Sequence, residues 1–202
     1  NHLAFDLPIA GFLHTDCPHF YRFAEDDESE EDFATLCAEN LDALIKAEGP
    51  ETIAALFAEP VMGAGGVLLP PATYFAKIQA VLKAHDVLLV ADEVICGFGR
   101  TGKAFAAQSF GVTPDIITMA KALTNGALPM GAVAVDDEIY DTVVNAAPEN
   151  AIELFHGYTF SGHPTACAAG LAALEIYEKE NLFERAAELS PYFLDQVYSL
   201  QD

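Results

Sequence analysis

Apolar positions recur along this chain with two different periods. From Phe33 through Leu36, Cys37, Leu41 and Leu44 to Ile45 they fall mostly three or four residues apart, the stripe of an amphipathic helix. Ser29 with Asp32 three residues on resembles a capping box at its start, with Asp in place of the usual Glu or Gln. Gly49-Pro50 stops it. Tyr74, Phe75, Ile78, Val81 and Leu82, after Pro70-Pro71, predict a second helix with one apolar face. The stretches 52–58 and 87–91 are short, continuous and apolar. Such runs read as strands buried on both faces, as in a parallel sheet covered by helices. The order strand, helix, strand predicts a crossover between parallel strands.

Further along, 104–110 reads as a short helix, and the run Asp115-Ile-Ile-Thr-Met-Ala120 as a strand that ends at Lys121. A strand over 129–135 and a helix over 136–144 follow. A loop of small and polar residues spans 155–164, and an alanine-dense helix then runs to Tyr177. The amphipathic pattern of 182–200 predicts a helix with a break near Pro191. Residues 1–24 are Pro-rich and aperiodic and read as an extended connection. With no repeat, linker or clear boundary, the chain is one α/β domain with a mostly parallel sheet flanked by helices.

Charge narrows the partners. Nine basic against 31 acidic residues give a net charge of −22, which argues against nucleic acid or an anionic membrane. No apolar run approaches the roughly 20 residues that span a bilayer, and no signal-peptide pattern is present, so a cytoplasmic location is expected. The acidic run from Glu25 to Asp32 suits the start of the helix that follows. Cys17, Cys37, Cys96 and Cys167 are scattered without a CxxC pair, which favours reduced thiols over a zinc site or disulfide framework. His14 and His19 have no pattern that completes a metal site, and no metal is expected.

Two residues stand out for chemistry. Lys121 alone among the six lysines directly follows an apolar strand. There it either snorkels to solvent or, desolvated, offers a neutral amine to carbonyl groups. Asp92 ends the strand over 87–91, where open α/β sheets bind ligands. It either caps or pairs locally, or holds a cationic ring nitrogen. Val94 would lie on the same side and pack on that ring, while Glu93 points away to a structural bond. If the two strands are neighbours, Asp92 and Lys121 emerge at one edge of the sheet. Gly97, Gly99 and Gly102 match the letters of a dinucleotide fingerprint, but no suitable helix or second acid follows.

Taken together, Val-Ala-Asp92-Glu93-Val94-Ile-Cys-Gly-Phe-Gly-Arg-Thr-Gly102 and Pro114-Asp115-Ile-Ile-Thr-Met-Ala-Lys121-Ala-Leu-Thr-Asn-Gly126 resemble the signature of the class III aminotransferases, pyridoxal-phosphate enzymes of fold type I. Glu59-Pro-Val-Met-Gly-Ala-Gly-Gly66 and His156-Gly-Tyr-Thr-Phe-Ser-Gly-His-Pro164 resemble the branch that acts on ω-amino acids and amines with pyruvate, including β-alanine–pyruvate aminotransferases.

The resemblance implies the three-layer large domain of that fold and a cofactor, pyridoxal 5′-phosphate. It implies that Lys121 captures the cofactor covalently and later moves a proton. Asp92 would keep the pyridine nitrogen protonated, and Val94 with Ile95 would pack on the ring. Thr159, with the Tyr158 backbone, would reach the cofactor phosphate of a partner subunit, in a homodimer or higher oligomer. Glu59 would lie near the substrate. The expected reaction moves an amino group from an ω-amino acid or primary amine to pyruvate or a similar oxo acid. An aminomutase or a non-catalytic cofactor-binding fragment are the alternatives. The family's glycine- and serine-rich phosphate cup and its small domain find no match here, so residues 1–202 correspond to the central part of the large domain. A start at Asn1 fits a fragment of a longer protein.

Overall fold

The computed structural model describes Leu7 and residues 9–201. Part of the expected extended connection, at 1–6 and 8, lies outside the described residues. The chain divides into two compact units, Asn1–Ala54 with Pro70–Val87, and Ala55–Leu69 with Leu88–Asp202.

The first unit is helical. α1 (Phe20–Phe23) is a single turn within the stretch read as extended. One turn is too short to show a period. α2 (Glu30–Glu48) packs on α3 (Tyr74–Ala84). Phe33, Cys37, Leu41 and Ile45 of one helix and Tyr74, Phe75, Ile78 and Leu82 of the other are buried. Each large side chain removed from water contributes about 1.5–3 kcal/mol. At the start of α2 the Ser29 Oγ accepts from the Asp32 amide at 3.1 Å. The short Asp32 side chain accepts from the Ser29 hydroxyl at 2.7 Å, where a longer Glu would reach back to the backbone N–H. Lys77 pairs with Glu31 at 2.7 Å and His85 with Asp42 at 2.7 Å.

The second unit holds a four-stranded mixed sheet in the order β1 (Ala55–Ala58), β2 (Leu88–Asp92), β3 (Ile116–Met119), β4 (Ala132–Val135). β1, β2 and β3 are parallel; β4 is antiparallel to β3. The connection from β3 to β4 carries a 3₁₀ turn at Lys121–Leu123 and no α-helix to return the chain for a parallel crossover. β2 meets the expectation of a buried strand, with Leu89, Val90 and Ala91 each at most 3% exposed. β1 does not. It is an edge strand of this sheet with Phe57 64% exposed, and Pro50–Thr52 forms a 3₁₀ turn that takes Thr52 out of it.

Four helices complete the unit: α4 (Ala106–Ser109), α5 (Asp137–Asn145), α6 (Pro164–Lys179) and α7 (Leu182–Tyr198). α7 runs through Pro191 without the expected break. Proline deletes one N–H and crowds the preceding turn, but that turn is seated against glycines. Phe183 and Ala187 lie so close to Gly99 and Gly102 that a Cβ there would stand 2.6 and 2.9 Å from them.

Candidate functional site

The site is set by strand register. Ala58 pairs with Ala91, and Asp92 with Thr118. Glu59, Asp92 and Lys121 therefore leave three neighbouring parallel strands at one carboxyl edge, the edge where such sheets bind ligands.

Asp92 is partly buried and locally oriented. Its Oδ1 accepts from the Val94 amide at 3.0 Å and from the Thr118 hydroxyl at 3.3 Å. Both bonds fall on Oδ1, and among the described residues Oδ2 has no donor. Val94 stays beside Asp92 through this turn and not through strand alternation, because β2 ends at Asp92. The expectation for Glu93 holds. It is fully buried, and its carboxylate accepts from the Ala106 and Ala107 amides at 3.0 and 2.6 Å, capping α4. Burial pushes its pKa up, while the two amides pull it down and neighbouring Asp92 adds to the rise.

Of the two readings of Lys121, the structure shows the one in which it reaches solvent. It is exposed, so the described residues do not supply the desolvation read from its strand. The reason is local: β3 ends at Met119, is itself only half-buried, and Lys121 opens the turn beyond it. Its φ of +47° is left-handed, a conformation that costs a residue with a Cβ roughly 1–2 kcal/mol. The turn closes around it. The Lys121 carbonyl accepts from the Thr124 and Gly126 amides at 3.3 and 3.2 Å. The Thr124 hydroxyl donates to the Leu128 carbonyl at 2.6 Å, and the Tyr177 hydroxyl to the Ala122 carbonyl at 2.6 Å. Tyr177 carries no mark in the sequence beyond its place on a helix, and only the fold brings it here.

Glu59 Oε2 accepts from the Gly63 amide at 2.9 Å. Ile95 lies against Gly63, where a Cβ would stand 2.7 Å from Ile95 Cγ2. Both therefore also hold the 59–68 loop, which is closed by a Met62–Leu68 bridge.

Tyr158 and Thr159 lie elsewhere. Both are exposed, and the Tyr158 amide donates to His156 Nδ1 at 2.9 Å. They line a cleft of about 740 Å³ with Leu128–Gly131, His163 and Cys167, and neither Asp92 nor Lys121 is in its wall. Gly97, Gly99 and Gly102 have a packing role. A Cβ at Gly97 would stand 2.9 Å from the Glu93 carbonyl, and Gly99 and Gly102 seat α7 at positive φ.

A carboxylate with one oxygen open, one strand from a primary amine, suits a ligand with a protonated ring nitrogen and an aldehyde. The comparisons agree with that donor set. The family model for class-III aminotransferases matches residues 8–202, and that family is pyridoxal-phosphate-dependent. The chain is 51% identical over 202 residues to gamma aminobutyrate transaminase 3, chloroplastic, of Solanum lycopersicum, covering 100% of this chain and 38% of that protein. It is 51% identical over 201 residues to the same plant's gamma aminobutyrate transaminase 1, mitochondrial, covering 39% of it. A solved omega transaminase from Pseudomonas jessenii in complex with PMP superposes with a TM-score of 0.84 at 49% identity, over 92% of this chain and 41% of that one. The chain thus spans about two-fifths of the relatives it matches. The cytoplasmic expectation is corrected by these names, chloroplastic and mitochondrial. A missing signal pattern in a stretch that covers 38% of a relative carries no information on compartment.

Proposed function

Because this chain belongs to the class-III aminotransferases, we propose that the full-length protein is a pyridoxal-phosphate-dependent transaminase, with residues 1–202 the central part of its cofactor-binding large domain. Its donor is an ω-amino acid, γ-aminobutyrate among them given the names of the relatives, or a primary amine. Its acceptor is pyruvate or a similar oxo acid.

The observation that carries this reading is the emergence of Asp92 and Lys121 from adjacent parallel strands at one edge. When bound, pyridoxal phosphate supplies an aldehyde that takes up an amino group and a ring that withdraws electrons. Asp92 would hold the cofactor's ring nitrogen, and its negative charge would keep that nitrogen protonated. Oδ1 is already committed to Val94 and Thr118, so the carboxylate is pre-aimed. Val94 and Ile95 would lie against the cofactor ring. Lys121 would hold the cofactor through its Nζ, and its free amine would carry the proton at the substrate's amine-bearing carbon. Thr159, with the Tyr158 backbone beside it, would hold the cofactor phosphate of a partner subunit in a homodimer or higher homo-oligomer. Glu59 lies near the substrate.

The test is cofactor trapping. The full-length protein, loaded with pyridoxal phosphate and reduced with borohydride, is expected to carry the label on Lys121 alone, and to convert pyruvate to alanine only with an amine donor present. Label scattered over surface lysines, or none, removes the reading.

A further inference from the structure

The turn that carries Lys121 is not held by its own strand. β3 ends before it, Lys121 is exposed, and its left-handed φ of +47° is held within the turn by the Thr124 and Gly126 amides on its own carbonyl. The contacts from outside the turn come from α6. The Tyr177 hydroxyl donates to the carbonyl of Ala122, the residue after Lys121, at 2.6 Å. The same carbonyl accepts from the Asn125 amide at 3.2 Å, so both of its lone pairs are used. Two turns earlier on the same face of α6, Gly170 lies 3.6 Å, measured from its Cβ position, from the Leu123 carbonyl, so the helix approaches the turn closely at two points.

Tyr177 is itself immobilised. Its ring stacks on Phe98 at 6.2 Å and 27° and meets Phe183 at 5.5 Å. Phe98 in turn contacts Phe105 at 5.4 Å. Phe98 belongs to the glycine turn that follows Asp92 and Glu93, and Phe105 precedes the helix that Glu93 caps. The hydroxyl that grips the Lys121 turn is thus mounted on a rigid aromatic cluster that also borders the segment after Asp92. Burial raises the Tyr177 pKa, with Arg100 acting weakly in the opposite sense, so the hydroxyl keeps its proton and remains a donor.

We infer that Tyr177 is a positioning residue: through its hydrogen bond to Ala122 it holds the left-handed turn that presents the Lys121 amine at the Asp92 edge. Its consequence for catalysis rests on the function proposed above.

The variant that tests it is Tyr177→Phe in the full-length protein, which removes the hydroxyl and keeps the ring in its cluster. Tyr192→Phe, on the exposed side of α7, is the control. In the cofactor-free protein, amide hydrogen exchange of Thr124, Asn125 and Gly126 is expected to quicken about fivefold, the loss of one ordinary hydrogen bond. In the loaded protein, the rate at which Lys121 becomes borohydride-trappable and kcat are each expected to fall about fivefold or more, with KM little changed. Exchange equal to that of the parent overturns the clamp. Faster exchange with unchanged trapping and kcat overturns the positioning role. A parent protein that never labels Lys121 refutes the proposed function and the positioning role with it, and the exchange rates still decide the clamp.

Discussion

The turn at 120–126 and the segment at 155–163 both carry groups assigned to one cofactor, and they are built in opposite ways. The turn is bound to the rest of its unit: Thr124 bonds to Leu128, Tyr177 to Ala122, and α6 closes on Leu123. The segment is bound chiefly to itself, through His156 to Leu154, Tyr158 to His156 and Ser161 to Tyr158, and it leaves Phe155 86% and Phe160 84% exposed. Two large apolar side chains in water gain nothing from that position. The proposed role of Thr159 at a partner's cofactor therefore rests on a segment that its own unit leaves open, and that of Lys121 on a turn that its unit closes.

The largest expected effect breaks the preorganised side outright. Lys121→Ala in the full-length protein should lower transamination by about a thousandfold or more, because nucleophile and proton carrier go together. Thermal unfolding of the cofactor-free protein should barely change, because the side chain is exposed. Next is Glu93→Ala. It orphans the Ala106 and Ala107 amides, and urea titration should show a loss of about 3 kcal/mol.

The pH dependence at Glu93 has a definite sign. Burial holds its folded pKa above the ordinary glutamate value of 4.5. The folded state therefore keeps a proton that the unfolded state has lost, and this group's contribution to stability declines as pH rises upward from 4.5 through the folded value. Glu93→Gln should flatten that decline in unfolding measured across pH.

Asp92→Asn should follow, with kcat lowered about a hundredfold, since an amide retains the geometry but not the charge that keeps a ring nitrogen protonated. The smallest effect sharpens the other side of the comparison. Thr159→Ala should weaken cofactor binding about tenfold in an equilibrium titration of the dimer and leave unfolding within about 0.5 kcal/mol. If its effect is the same in a form held monomeric, Thr159 serves its own subunit.

Much of this protein was decided by sequence alone. Periodicity and caps place α2 and α3, from Ser29 to the stop at Gly49. The apolar runs place β2 and β3, so Asp92 at a strand end and Lys121 just beyond one are legible in the sequence. Those signals are local: a period, a cap or a run of Val and Leu acts through neighbours a few residues away.

What only the tertiary structure decided lies in partners far apart in the chain. Glu93 takes up amides 13 and 14 residues on, and Tyr177 reaches a carbonyl 55 residues back. Gly99 and Gly102, which match the letters of a dinucleotide fingerprint, are glycine because α7 lies against them, and that contact seats the turn before Pro191 in an unbroken helix. Among the described residues β1 lies at the sheet edge with Phe57 exposed and its other residues half-buried, a position that no run of apolar letters specifies. Among the described residues Lys121 is exposed, because β3 stops at Met119, one residue short of the apolar run, and Lys121 opens the turn beyond it. Packing and register settle such matters, and they depend on the whole chain folding at once.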